Sequence, residues 1–125
     1  MKNGLIIFDV FTVNMAGMAS LGDGKERTDF DQILPDGRKF KRNYRHAAQH
    51  QSEQYNEVEL IYYATDSEGN TERSVETFNW RDFFRFELEH LLVRAGFRLL
   101  HFYGDFDKLP YSDDSPEMIV VATKL

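Results

Sequence analysis

The chain has no cysteine in its 125 residues. Disulfide staples, thiolate metal sites and a cysteine nucleophile are therefore excluded, which is compatible with a reducing compartment. It also lacks a long hydrophobic run. The only early apolar stretch, Leu5 to Phe8, is too short for a signal h-region and is broken at once by Asp9. No stretch approaches the roughly 20 apolar residues that a membrane span requires. Basic residues are in deficit: 15 Lys and Arg against 21 Asp and Glu leave a formal charge of −6, the wrong sign for a general nucleic-acid binder. There is no internal repeat and no low-complexity segment. These absences point to a soluble, cytoplasmic chain with no membrane and no nucleic-acid partner.

What is present is a core-forming composition. Hydrophobic residues reach 42% and aromatics 14%, too rich for a disordered tail. Eleven Phe and six Tyr predict an aromatic-heavy core. The length suits a single domain with a modest core. Leu5-Ile6-Ile7-Phe8 is continuously apolar, which predicts a strand covered on both faces. Asp9 and Asn14 then fall just past its C-terminal end, where open α/β sheets place ligands. Met15 to Leu21 suits a short helix, broken by Gly22-Asp23-Gly24.

From Thr28 to Phe78 the pattern is antiparallel. Strands are expected over Thr28 to Leu34, Arg38 to His46, Glu53 to Ala64 and Thr71 to Phe78. The turns between them fall at Pro35-Asp36-Gly37 and Asp66-Ser67-Glu68-Gly69-Asn70. Alternation puts Val58, Leu60 and Tyr62 together, giving a meander with one greasy and one charged face. Asn79, with Asp82 three residues on, reads as an N-cap. Trp80, Phe84, Leu88, Leu91, Leu92 and Ala95 follow helical spacing, and Gly96 stands where a glycine ends a helix. Phe97 to Tyr103 and Met118 to Thr123 read as strands joined by a polar loop from Gly104 to Glu117.

Several charged groups invite a functional reading. Asp105, Asp107, Asp113 and Asp114 crowd one loop but lack EF-hand spacing, so a solvated acidic loop is favoured over a cation site. His46 and His50 would share a face only on a helix and have no third ligand, so no metal site is expected. His90 and His101 lack a surrounding nucleophile and orienting group. Arg38, Lys39, Lys41, Arg42 and Arg45 interleave with Phe40 and Tyr44, as a nucleic-acid stripe would. Alternation splits that stripe between two faces, and Glu53, Glu57 and Glu59 are natural cross-strand partners.

Three stretches read together carry a resemblance. They are Gly4-Leu5-Ile6-Ile7-Phe8-Asp9-Val10-Phe11, then Leu92-Val93-Arg94-Ala95-Gly96-Phe97, then Tyr103-Gly104-Asp105-Phe106-Asp107 followed by Asp114-Ser115-Pro116-Glu117-Met118-Ile119-Val120-Val121-Ala122. In this order they resemble the fifth strand, last helix and final hairpin of a class I S-adenosylmethionine-dependent methyltransferase, in the group with a small antiparallel lid inserted after the fifth strand. The implied fold class is α+β: the C-terminal part of a Rossmann-like methyltransferase sheet with an inserted β-meander lid and one main helix. Residues 1–27 hold a sheet strand and short helix, 28–78 the lid, and 79–125 the helix and terminal hairpin.

The same resemblance implies transfer of a methyl group from S-adenosylmethionine to a small-molecule or other nucleophile. That reaction is an in-line displacement resting on positioning, with no covalent catalyst required among these residues. It implies that Tyr103 and Asp105, after the sixth strand, and Arg81 and Arg85, on the helix beside the lid, border the substrate pocket. The acidic residue and Gly-rich turn that would hold the cofactor have no counterpart, since Leu21-Gly22-Asp23-Gly24 follows no apolar strand and precedes no amphipathic helix. The chain thus reads as a substrate-side half, inactive alone and binding no cofactor. The alternative is a non-enzymatic binding or assembly module that uses the lid and an exposed sheet edge. A strand built for two neighbours but lacking one predicts a homo-oligomer paired through that edge.

Overall fold

A computed structural model describes residues 4–19 and 22–125. The elements run β1 (Leu5–Phe11), α1 (Met15–Met18), β2 (Arg27–Ile33), β3 (Lys39–His50), β4 (Tyr55–Thr65), β5 (Thr71–Trp80), α2 (Arg85–Arg94), β6 (Phe97–Tyr103) and β7 (Glu117–Lys124). They fall into two compact units, and one interrupts the other in sequence. Met1–Asn14 with Asp82–Leu125 forms the first unit, and Met15–Arg81 the second. No described helix is long and apolar enough to cross a membrane.

The first unit is a three-stranded sheet in the order β1-β7-β6, with β7 antiparallel to both neighbours. Period-two alternation gives this sheet two different faces. Met118, Val120 and Ala122 of β7 point to one side, where they pack with Leu88 and Leu92 of α2 and with Phe8, Val10, Leu99 and Phe102. The helix ends where Gly96 takes φ +80°, with its N–H donating to Val93 O at 3.0 Å and Ala95 N–H to Leu91 O at 2.9 Å. A left-handed backbone costs glycine nothing and stops the helix as expected.

The second unit is a four-stranded antiparallel sheet, β2-β3-β4-β5. Val58, Leu60 and Tyr62 do share a face, opposite His46, Tyr44 and Arg42 of β3. On that face the Phe30, Phe40 and Tyr62 rings form a chain with centroids 5.7 and 5.9 Å apart. The turns lie where their chemistry puts them, with Gly37 at φ +87° and Gly69 at φ +90°. Asp66 braces its turn, accepting the Glu68 and Asn70 N–H groups at 2.9 Å each.

Several expectations are corrected. β1 is not covered on both faces: it is an edge strand, with Leu5 63% and Ile7 65% exposed. It also extends to Phe11, so Asp9 lies within the strand opposite Ile119 rather than past its end. Among the described residues the buried hydrophobic side chains are Val58, Ile61, Leu88, Leu92, Met118, Ile119, Val120 and Ala122, with no aromatic. Flat rings are too large to vanish inside units this small, so Phe8, Phe83, Phe97, Phe102 and Tyr111 flank the cluster instead. Asn79 and Trp80 extend β5, paired with Glu57 and Asn56. The helix therefore begins at Arg85, and Arg81 lies ahead of it; the Glu87 carboxylate accepts the Phe84 N–H at 3.3 Å at its start. The meander face expected to be charged carries the fully buried Ile61 beside Asn43. The short helix spans Met15–Met18, and residues 20–21 of the expected Met15 to Leu21 span lie outside the described residues.

Candidate functional site

The sheet of the first unit has a helix on one face only. On the opposite face, Ile7 stands across from Val121, and Asp9 and Tyr103 flank Ile119 on either side. These side chains floor a cleft of about 280 Å³, walled by Asp105, Phe106 and Lys108 from the loop after β6. The His101 and Tyr103 rings stack at 5.3 Å and 10° at its margin. Two residues apart, they share a face, and a bulge between Leu99 and His101 puts them on the uncovered side by shifting the register of β6.

The wall is held by backbone bonding. Gly104 N–H donates to Leu109 O at 2.8 Å, and Glu117 N–H donates to Gly104 O at 3.2 Å. Asp105 Oδ1 accepts the N–H groups of Asp107 at 2.9 Å and Leu109 at 3.1 Å. This bonding accompanies a left-handed backbone at Lys108, φ +64°. The Asp105 carboxylate thus shapes the loop, while its side chain also faces the cleft. A mostly apolar floor that includes Asp9, with Lys108 in the wall, suits an apolar group carrying a polar end, rather than a bare ion.

The four residues expected at a substrate pocket are distributed unequally. Tyr103 and Asp105 share the cleft. Arg85 belongs to the other side of the sheet: its guanidinium lies over the Phe102 ring at 5.2 Å and bonds Glu89 at 3.1 Å. Arg81 belongs to the second unit, where its Nη2 donates to Glu53 O at 2.8 Å. The cleft residues Ile7, Ile119 and Val121 went unnoticed in the sequence. Alternation along β1 and β7 is the signal that marks them, but only once the strands are paired.

Several of the remaining charged groups are engaged locally. Arg42 forks onto Asp29 at 3.1 and 2.8 Å, Arg45 pairs with Glu59, and Arg38 meets Asp36 at 2.8 Å. His50 Nε2 lies 2.9 Å from Glu57 Oε1, and its ring stacks on Tyr55 at 4.4 Å. Among the described residues no group of three or more His, Asp or Glu side chains is placed to hold a metal ion. In the second unit, Glu26 accepts from Asn43 Nδ2 at 3.0 Å and from Tyr63 OH at 3.3 Å. The Asn43 bond leads in holding the Glu26 carboxyl below its ordinary range, with Tyr63 and Arg73 adding to it. A second concavity of about 370 Å³ lies among Leu34, Phe40, Ala64 and the two meander turns, and holds none of the four expected residues.

The Gly22-Asp23-Gly24 turn does not fit a nucleotide-type cofactor. Arg27 binds both oxygens of the Asp23 carboxylate, at 3.1 and 2.5 Å, and the Lys25 N–H adds a third bond at 3.0 Å. These bonds, Arg27 first, hold Asp23 far below the usual carboxylate range. The turn leads into strand β2 rather than into a helix whose N-terminus could meet a phosphate.

No protein-family model matches the chain, and no curated protein sequence matches it. Solved structures do. An S-adenosylmethionine-dependent methyltransferase from Clostridium acetobutylicum ATCC 824 aligns over 97% of this chain and 44% of its own, with TM-score 0.66 and 11% identity. The CcbJ methyltransferase from Streptomyces caelestis aligns over 98% of this chain and 47% of its own, with TM-score 0.65 and 17% identity. An amino pentose methyltransferase from Micromonospora echinaspora, involved in calicheamicin biosynthesis and solved with S-adenosylmethionine bound, aligns over 100% and 45%, with TM-score 0.61 and 15% identity. The chain spans less than half the length of each of these structures. At such identities the likeness is one of fold: the chain has the fold of part of an S-adenosylmethionine-dependent methyltransferase.

Proposed function

We propose that these 125 residues are the substrate-side, C-terminal half of an S-adenosylmethionine-dependent methyltransferase acting on a small-molecule acceptor, and that alone they neither bind the cofactor nor turn over. One observation carries the reading. Three methyltransferase structures take in 97–100% of this chain while it accounts for only 44–47% of them. The element order supports it: the meander unit interrupts the first unit directly after β1, as an inserted lid would. A small-molecule acceptor is favoured by the amino pentose that one of these proteins methylates.

The uncovered sheet face is consistent with the same division. Sheets in α/β folds carry helices on both faces, and here only one face carries a helix. The poor fit of the Gly22-Asp23-Gly24 turn to a cofactor supports the cofactor side lying outside these residues. Of the four candidate contacts, Tyr103 and Asp105 are the pair that share a cleft and are the best placed to meet an acceptor; Arg81 and Arg85 are held by other partners.

Calorimetric titration with S-adenosylmethionine tests the division of labour. No binding heat is expected from this chain, and micromolar binding would overturn the reading. A parallel NMR titration with an amino pentose tests the acceptor side. Shifts should centre on Tyr103 and Asp105, and shifts confined to Met15–Arg81 would remove those two from the site.

A further inference from the structure

The closed end of the β3–β4 hairpin brings a histidine, a carboxylate and a phenol ring into contact, and we infer that protonation of His50 tightens the turn that anchors Arg81. His50 and Tyr55 are the last pair of the β3–β4 ladder, and residues 51–54 form the turn between them. Their rings stack at 4.4 Å and 17°, and His50 Nε2 lies 2.9 Å from Glu57 Oε1. Tyr55 and Glu57, two residues apart on β4, share the face on which His50 stands. The imidazole is held between a π face and a carboxylate.

The turn that this clasp closes is strained. Gln54 takes a left-handed backbone, φ +56°, and its N–H reaches Gln51 O at 3.3 Å. A residue with a Cβ enters that region only at a cost, so the closing pair holds what the turn does not itself favour. Glu53, inside the same turn, presents its carbonyl oxygen to Arg81 Nη2 at 2.8 Å. Arg81 is the last residue of the meander unit, where the chain passes into the first unit. The hairpin end therefore fastens the exit of the meander. All these residues belong to the meander unit, and the inference does not rest on the proposed function.

Protonation acts on both contacts of the ring in the same direction. A neutral imidazole gives Glu57 an ordinary hydrogen bond, whereas an imidazolium gives it a charge-assisted one. The same charge strengthens the stacking on Tyr55 through the quadrupole of the phenol ring. Histidine is the side chain that changes charge between about pH 5 and 8. The surrounding charges leave this sign intact. On the same face Arg45 is paired with Glu59, and Asn79, opposite Glu57, is neutral. Glu53 adds a carboxylate in the turn, and the Arg81 guanidinium is held on the Glu53 carbonyl. β2 pairs with β3 only as far as Tyr44. The segment at Gly22 passes beside Gln49, whose side chain points to the opposite face, and its charges Asp23 and Arg27 bind one another.

Hydrogen exchange read by NMR between pH 8 and 5.5, corrected for the intrinsic pH dependence of exchange, tests this. Protection of the Gln54 amide should rise about two- to fivefold on acidification, the range set by an exposed ion pair. Exchange of the Arg81 guanidinium protons should slow in parallel. His50→Gln and Glu57→Gln each keep a hydrogen-bonding side chain and remove one charge. Both side chains are 40% exposed, so the fold should survive while both responses vanish in either variant. A parent chain whose Gln54 protection is constant over this range overturns the inference, as does a rise that persists in either variant. A rise at Gln54 with no response at Arg81 overturns the link to the exit of the meander.

Discussion

Ile7 of β1 stands directly opposite Val121 of β7, and both side chains lie on the sheet face that α2 does not cover. One residue further along each strand, Phe8 and Val120 are paired on the covered face, and Val120 is fully buried. Truncations on the two faces should therefore differ sharply. Leu92→Ala, on the buried face of α2 and in the same cluster as Val120, should cost about 2–5 kcal/mol because it opens a cavity. Ile7→Ala should change stability by about 0.5 kcal/mol or less, as surface substitutions do. Urea unfolding of the two variants at low protein concentration checks the contrast, and equal losses would show that the uncovered face is packed in solution.

Gly104 controls the loop that walls the cleft. A Cβ there would lie 2.1 Å from Ser115 Oγ, 2.8 Å from Ser115 Cβ and 3.2 Å from Pro110 O. Two of these neighbours belong to a side chain and one to backbone, so the loop cannot yield without moving as a whole. Gly104→Ala should cost about 1–3 kcal/mol, the usual range for overpacking. Adding Ser115→Gly should recover part of the loss, although it sacrifices the 2.8 Å bond from Ser112 N–H to Ser115 Oγ. Chemical denaturation of the single and double variants measures this, and absence of any recovery would place the strain elsewhere.

Local chemistry made most of the elements readable. Alternation from Glu53 to Ala64 and the turns at Pro35-Asp36-Gly37 and Asp66 to Asn70 are decided by neighbouring residues, and β3, β4 and β5 formed close to where those signals put them. The Trp80 error has a physical cause. Its spacing fits a helical stripe, but a β-favouring run from Thr71 with a waiting partner in Asn56 outweighs that spacing. The order of the meander and the final β6–β7 hairpin followed from short connections, and β1 was expected to leave one edge unpaired. Its pairing with β7 was not legible, because nothing in Leu5-Ile6-Ile7-Phe8 states which strand lies beside it. The cleft suffered in the same way. Tyr103 and Asp105 are close in sequence and could be paired on paper, whereas Ile7 and Val121 meet only through a ladder that joins the two ends of the chain.

Gly96 offers a test of the helix end free of packing effects. It sits at φ +80°, and a Cβ added there would meet nothing within 4 Å. The cost of substitution is therefore conformational: about 1–2 kcal/mol for Gly96→Ala, since only glycine enters this region without strain. Gly96→Asn should cost less, because asparagine tolerates the left-handed region. Thermal unfolding of both variants checks the order. A loss from asparagine as large as that from alanine would point to a packing cause instead.

Glu26 gives the meander unit a pH dependence whose sign can be worked out. Asn43 and Tyr63 donate to its carboxylate, and its folded-state pKa lies below the ordinary 4.5. A lowered carboxyl pKa means that the native state binds the charged form better than the unfolded state does. The resulting stability is present in full above the ordinary value and is lost as pH falls through the lowered one. Glu26→Gln keeps an oxygen for Asn43 but removes the charge near Arg73, whose Nη2 lies 4.0 Å from Glu26 Oε1. The variant should therefore be less stable than the parent at neutral pH, and the gap should close as pH falls below 4.5. Urea midpoints of both proteins across an acid series measure it. A gap that stayed constant with pH would assign the loss to shape or hydrogen bonding rather than to charge.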